Sequence, residues 1–105
     1  MVEKIRFTLQ TKLVLKAMSK EPLRARYGLD ISKESGLPDG TIYPILARLH
    51  RAGLLHREWE DIDPVKEGRP RRRLYRITGD GVRVARELDA STPRLSWAPG
   101  PGGIR

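Results

Sequence analysis

Cysteine is absent from the chain. That removes disulfide frameworks, thiolate metal sites and cysteine nucleophiles together, and it fits a reducing, cytoplasmic setting. Aromatic residues are scarce, with a single phenylalanine, Phe7. No aromatic stacking platform, RRM motif or KH glycine loop emerges, which weighs against RNA, although charge alone leaves RNA open. Apolar runs extend only a few residues, far short of the roughly 18 needed to cross a bilayer, and no signal-like segment follows the start. Acidic residues are outnumbered 13 to 21 by lysine and arginine, for a formal net charge of +8. Such an excess is the footprint of a protein that meets a polyanion. At 105 residues there is room for one domain, whose small core would often be supplemented by oligomerisation.

Enzymatic signatures are missing too. His50 and His56 lack a carboxylate partner at ligand spacing, so they read as surface histidines and no metal site is expected. No serine lies in an elbow motif, and no Walker or Rossmann glycine loop appears. The expectation is a non-enzyme without a cofactor.

What is present is periodic. Leu9, Leu13, Ala17 and Val14, Met18 recur four apart with Leu15 beside them, which predicts a helix over about 7–19. A short second helix is expected over 27–35, stopped by Gly36. A third is expected over 38–52, where Ile42, Leu46 and Leu49 keep the helical period up to Gly53. Residues 54–59 read as a strand, 61–71 as an exposed hairpin loop and 72–77 as a second strand with Tyr75 and Ile77 on one face. Thr78 can cap a fourth helix carrying Val82, Ala85 and Leu88, ending near residue 90. Residues 91–105 hold many prolines and glycines and too few apolar side chains for a core, so a disordered tail is expected after a domain over 1–90.

Three helices, a strand, a basic loop and a strand are the order of a winged helix-turn-helix, a mainly α fold with a small β-ribbon. On the third helix, Thr41, Pro44, Arg48 and Arg51 fall on one side, away from the apolar stripe, where side chains can donate to base edges or phosphates. Solvated arginines on an ordinary amphipathic helix would show the same wheel. Downstream, Lys66, Arg69, Arg71, Arg72, Arg73 and Arg76 put six cations into eleven residues, offset there only by Glu67. Phosphate contact relieves their mutual repulsion, and Arg69, between Gly68 and Pro70, is placed to reach a minor groove. A solvated charge cluster is the competing reading. Pro44 breaks a local rule, since a proline beyond the first turn removes a backbone donor. Either the helix starts later, or the distortion aims its N-terminus at phosphate.

The segments Gly40-Thr41-Ile42-Tyr43-Pro44-Ile45-Leu46-Ala47-Arg48-Leu49, Gly53-Leu54-Leu55, Trp59, Gly68-Arg69-Pro70-Arg71-Arg72 and Tyr75-Arg76-Ile77-Thr78 resemble the PadR family of bacterial transcriptional regulators over about 8–90. The resemblance implies a homodimer on an inverted-repeat operator of double-stranded DNA, usually repressing. It puts Tyr43 near the DNA backbone, the third helix in the major groove and the wing alongside. Larger members add a helical C-terminal dimerisation domain, so the chain is similar to the short subgroup. Dimerisation would then fall to Leu9, Leu13, Val14, Leu15, Val82 and Leu88, unless these residues only complete the protomer core. Some short members bind flat aromatic compounds between their dimer helices, which implies a small aromatic effector as a further partner. Trp97 would line such a site or be a stray tail aromatic, the reading favoured by its place after Pro93. A winged-helix module that docks an acidic protein is the alternative function.

Overall fold

Thr8 sets the start of the first helix by accepting the Thr11 amide on its Oγ1 at 3.2 Å, and α1 (Leu9–Ser19) follows. The computed structural model describes residues 7–91, so Trp97 and the expected tail from 92 onward lie outside the described residues, while Ser91 still belongs to a helix. Val14, Leu15 and Met18 of α1 are fully buried. At its far end the last carbonyls would be orphaned. Arg26, only 1 % exposed, supplies donors: Nη2 to Ala17 O at 3.4 Å and Nη1 to Met18 O at 3.3 Å. Its Nε bonds both oxygens of Glu34, at 3.0 and 3.2 Å, so the buried charge is balanced.

Arg26–Tyr27 form a short strand, β1, before α2 (Gly28–Ser35). The Tyr27 amide donates to Asp30 Oδ2 at 3.0 Å, and Gly36 ends the helix in the left-handed region at φ 78°. The turn into α3 (Asp39–Arg51) is held by Ser32 Oγ, which donates to Leu37 O at 2.5 Å. The start at Asp39 leaves Pro44 inside the helix, so the later start considered from sequence is overturned. Pro44 can send no amide to the Gly40 carbonyl, yet the helix runs on through it. It closes with Gly53 at φ 79° donating to His50 O and Leu54 donating to Leu49 O, both at 3.0 Å. That pair of bonds turns the buried Leu54 back onto the core.

The sheet has three antiparallel strands in the order β1-β3-β2, built with β2 (Leu55–Trp59) and β3 (Arg73–Ile77). Two strands were expected. The third was missed because two residues, Arg26 and Tyr27, carry no periodicity, yet they pair with Tyr75 and Leu74. The expected loop over 61–71 is also corrected, since it contains a single helical turn, α4 (Pro64–Glu67). Asp63 Oδ1 accepts the Val65 amide at 3.0 Å, Pro64 opens the turn and Gly68 closes it at φ 69°. α5 (Gly79–Ser91) is anchored through Thr78, whose Oγ1 accepts the Gly81 amide and donates to Gly53 O, each at 2.9 Å.

One apolar cluster joins α1, α2, α3, the sheet and α5, with Ile31, Ile42, Leu46 and Leu49 fully buried at its centre. Two residues expected at a dimer surface belong to this core. Val14 and Leu15 are 0 % exposed, so they complete the protomer and offer a partner no surface. Leu9 and Leu13 are 73 % and 37 % exposed, while Val82 and Leu88 are partly buried against the core. Among the described residues, no helix is long and apolar enough to cross a membrane.

Candidate nucleic-acid interface

Burial of Ile42, Ile45, Leu46 and Leu49 fixes the inner face of α3. At about 100° per residue the opposite face is centred on Gly40, Pro44, Ala47 and Arg51. Pro44 and Arg51 are exposed, as expected. Thr41 and Arg48 are half-buried on one shoulder, so they flank the outward stripe more than they crown it. Tyr43, 48 % exposed, and His50 occupy the other shoulder. Tyr43 lies over the start of α2 against Gly28, which has no side chain to obstruct the ring.

The wing turns on a residue that carries no sequence signature of its own. Glu60 is 7 % exposed and its carboxylate is surrounded by donors. Arg69 reaches it with Nη1 to Oε1 at 2.7 Å and Nη2 to Oε2 at 3.0 Å, a forked pair. Tyr27 Oη donates to Oε2 at 2.5 Å and the Arg72 amide donates to Oε1 at 3.1 Å. The Arg69 bonds, then the Tyr27 bond, outweigh burial and hold the Glu60 carboxyl at about 2. Conversely, the bond to Glu60 pushes the Tyr27 phenol up. One carboxylate thus ties the base of the wing, the loop after α4 and the edge strand β1 together.

This sorts the six wing cations. Arg69 is spent on Glu60, and Arg76 pairs with Glu58 at 3.1 Å. In this geometry the Arg69 guanidinium holds the loop against Glu60. Lys66, Arg71, Arg72 and Arg73 have no carboxylate partner among the described residues. Arg71 Nε donates to Ile62 O at 2.9 Å while its side chain stays exposed. Arg72 lies over the Tyr27 ring at 5.2 Å and Arg73 over the Trp59 ring at 4.4 Å. Stacking fixes both guanidinium groups while leaving their N–H edges free for an acceptor. The arrangement offers a helix face and a pre-shaped cationic wing, which suits a polyanionic duplex. Among the described residues, no cluster of histidine and carboxylate side chains could hold a metal ion.

Three solved structures share this architecture. BpsR of Bordetella bronchiseptica, whose DNA binding is regulated by 6-hydroxynicotinic acid, is 21 % identical with a TM-score of 0.67 over 85 % of this chain and 61 % of its own. The PcaV transcriptional regulator of Streptomyces coelicolor, solved with its natural ligand, is 31 % identical with a TM-score of 0.65, covering 86 % and 57 %. MepR of S. aureus, solved in complex with DNA, is 18 % identical with a TM-score of 0.64, covering 80 % and 63 %. The chain therefore spans less than two thirds of the length of each, and at 21 % and 18 % identity the likeness to BpsR and MepR is one of fold alone. No curated protein matches the sequence. The model of the PadR-like family of transcriptional regulators matches residues 14–87, most of the chain, and the protein belongs to that family.

Proposed function

We propose that the protein is a homodimeric repressor that binds an inverted-repeat duplex operator, with α3 in the major groove and the wing on the flanking backbone. The observation that carries this reading is the division of α3: one side is sealed into the core, and the other presents Tyr43, Pro44, Arg48 and Arg51 beside a wing with uncompensated cations. In it, Thr41 and Arg48 contact the duplex from one shoulder and Tyr43 from the other. Lys66, Arg71, Arg72 and Arg73 contact phosphates, and Arg69 acts through Glu60 by shaping the wing. MepR has been solved with DNA on a similar fold, which supports this assignment.

Dimerisation through α1 and α5 is supported by the exposure of Leu9 and Leu13 beside Leu88. The same two helices border an apolar groove whose charged lining is Lys12, Lys16 and Asp89, and the two lysines outnumber the one carboxylate for a flat aromatic acid. The 6-hydroxynicotinic acid response of BpsR is in keeping with an effector of that kind.

A salt titration tests the core reading. Binding to random duplex should fall steeply with salt, and a selected palindrome should bind at least about 10³ more tightly than random sequence. Binding to an acidic protein with no duplex affinity at low salt would overturn it in favour of a protein-docking module.

A further inference from the structure

The ribbon carries an arrangement that core packing does not explain. Antiparallel pairing sets Leu55 opposite Ile77, Arg57 opposite Tyr75 and Trp59 opposite Arg73. Side chains alternate across a strand, so all six share the face that meets α3. The inner three, Leu55, Tyr75 and Ile77, are buried. The outer three, Arg57, Trp59 and Arg73, continue that face past the helix and leave a polar notch closed on its inner side by His50 of α3. Glu58 borders the notch, but its carboxylate is paired with Arg76 at 3.1 Å, and alternation puts both on the opposite face. Neither Arg57 nor Arg73 has an ion-pair partner among the described residues. Two arginines thus converge unneutralised, one of them fixed against Trp59 at 4.4 Å. Converging cations without a counter-charge are the usual preparation for an anion.

We infer that this notch is a seat for one backbone phosphate of duplex DNA, gripped by Arg57 and Arg73, and that His50 joins the grip as a protonated donor, making DNA affinity proton-linked. The inference rests on the duplex-binding reading above. A helix in the major groove and a wing on the adjacent minor groove straddle the one strand that separates the two grooves, and the notch lies between those two elements.

The sign of the linkage follows from the surroundings of His50. Burial first, and then the charges of Arg57 and His56 on β2, Arg73 on β3 and Arg51 on its own helix, hold its pKa below the ordinary histidine value. The ring is therefore neutral near pH 7 in the free protein. A phosphate diester in the notch offsets those positive charges and favours the imidazolium, so the complex takes up a proton that the free protein lacks. Affinity then rises as pH falls through the pKa of the bound state, and it levels off below that of the free protein.

Fluorescence anisotropy on a random-sequence duplex, at constant ionic strength, tests this with the full chain and two variants. The unaltered protein should bind about fivefold more tightly at about pH 6 than at about pH 8. His50→Gln should keep the higher-pH affinity and lose the gain on acidification, although His56 is still present. Arg57→Gln, at an exposed position, should bind more weakly at both pH values and lower the salt slope by about one. A flat pH profile in the unaltered protein, or a His50→Gln variant that keeps the gain, overturns the proton linkage. An unchanged salt slope in Arg57→Gln overturns the phosphate seat, and it does so even if His50→Gln fails to fold. A protein that binds no duplex at low salt would overturn the regulator reading as well, which separates the two failures.

Discussion

The ring of Tyr43 occupies the space that a side chain on Gly28 would need. A Cβ built there would stand 2.5 Å from the Tyr43 hydroxyl oxygen and 2.7 Å from Cε1 and Cζ. The first residue of α2 thereby sets the position of an aromatic group on the shoulder of α3.

Gly28→Ala separates stability from binding. The obstructing atoms are the far end of a ring that can swing into solvent, and alanine is the better helix former by about 1 kcal/mol, so unfolding free energy should change by less than about 1 kcal/mol. Duplex affinity should fall, because Tyr43 is displaced. Equal affinity at equal stability would remove Tyr43 from the interface.

Gly81→Ala is the contrasting case. Its Cβ would collide with the Leu54 carbonyl oxygen and lie 2.6 Å from Ile77 Cγ1, and a backbone carbonyl that already accepts the Thr78 amide at 3.0 Å cannot swing aside. Urea unfolding should show a loss of about 1–3 kcal/mol despite the higher helix propensity of alanine. An unchanged midpoint would mean that α5 shifts freely on the sheet.

Glu60 yields a pH prediction with a definite sign. Its folded pKa, about 2, lies below the ordinary value of 4.5, so its contribution to stability is complete above that ordinary value and is lost as pH falls through about 2. Glu60→Gln should flatten this acid limb. It should also weaken duplex binding, although it removes a negative charge from a basic wing and charge counting alone predicts tighter binding. Tighter binding by the variant would show that Glu60 does not position the wing.

Arg26→Met should be among the most damaging single changes. It leaves the Ala17 and Met18 carbonyls without their donor and takes one of two cations from Glu34, whose Oε2 still meets Arg24 Nη1 at 3.2 Å. Leaving those buried carbonyls without a donor costs about 1–3 kcal/mol, and lysine, which lacks the fork, should restore only part of it. A loss below about 1 kcal/mol in either variant would show that water replaces the guanidinium.

Much of the fold was legible because its long elements carry their own periodicity. The stripe Ile42, Leu46, Leu49 with Gly53 defines α3, and alternation around Tyr75 and Ile77 defines β3. Thr78 was recognisable as a cap from its residue type and place. What escaped depends on partners distant in sequence. β1 is two residues long and exists only because β3 pairs with it. Glu60 looks like one acid beside a basic run, and Tyr27 and Arg69 are brought to it only by folding. Charge counting overstated the wing for the same reason, since Arg69 and Arg76 are neutralised by carboxylates. Val14 and Leu15 were indistinguishable from Leu9 and Leu13 on an apolar helix until α5 and the sheet covered them. Asp63, Pro64 and Gly68 are the start and stop signals of α4, present in the sequence within a loop otherwise marked by proline and glycine.

Selection of bound sequences from a randomised duplex library tests the central claim most directly. An inverted repeat should be enriched, its half-sites about one helical turn, roughly 10 base pairs, apart or a multiple of that, and bound by two protomers. A library that emerges without an enriched sequence, or with a single unrepeated half-site bound by one protomer, would contradict it.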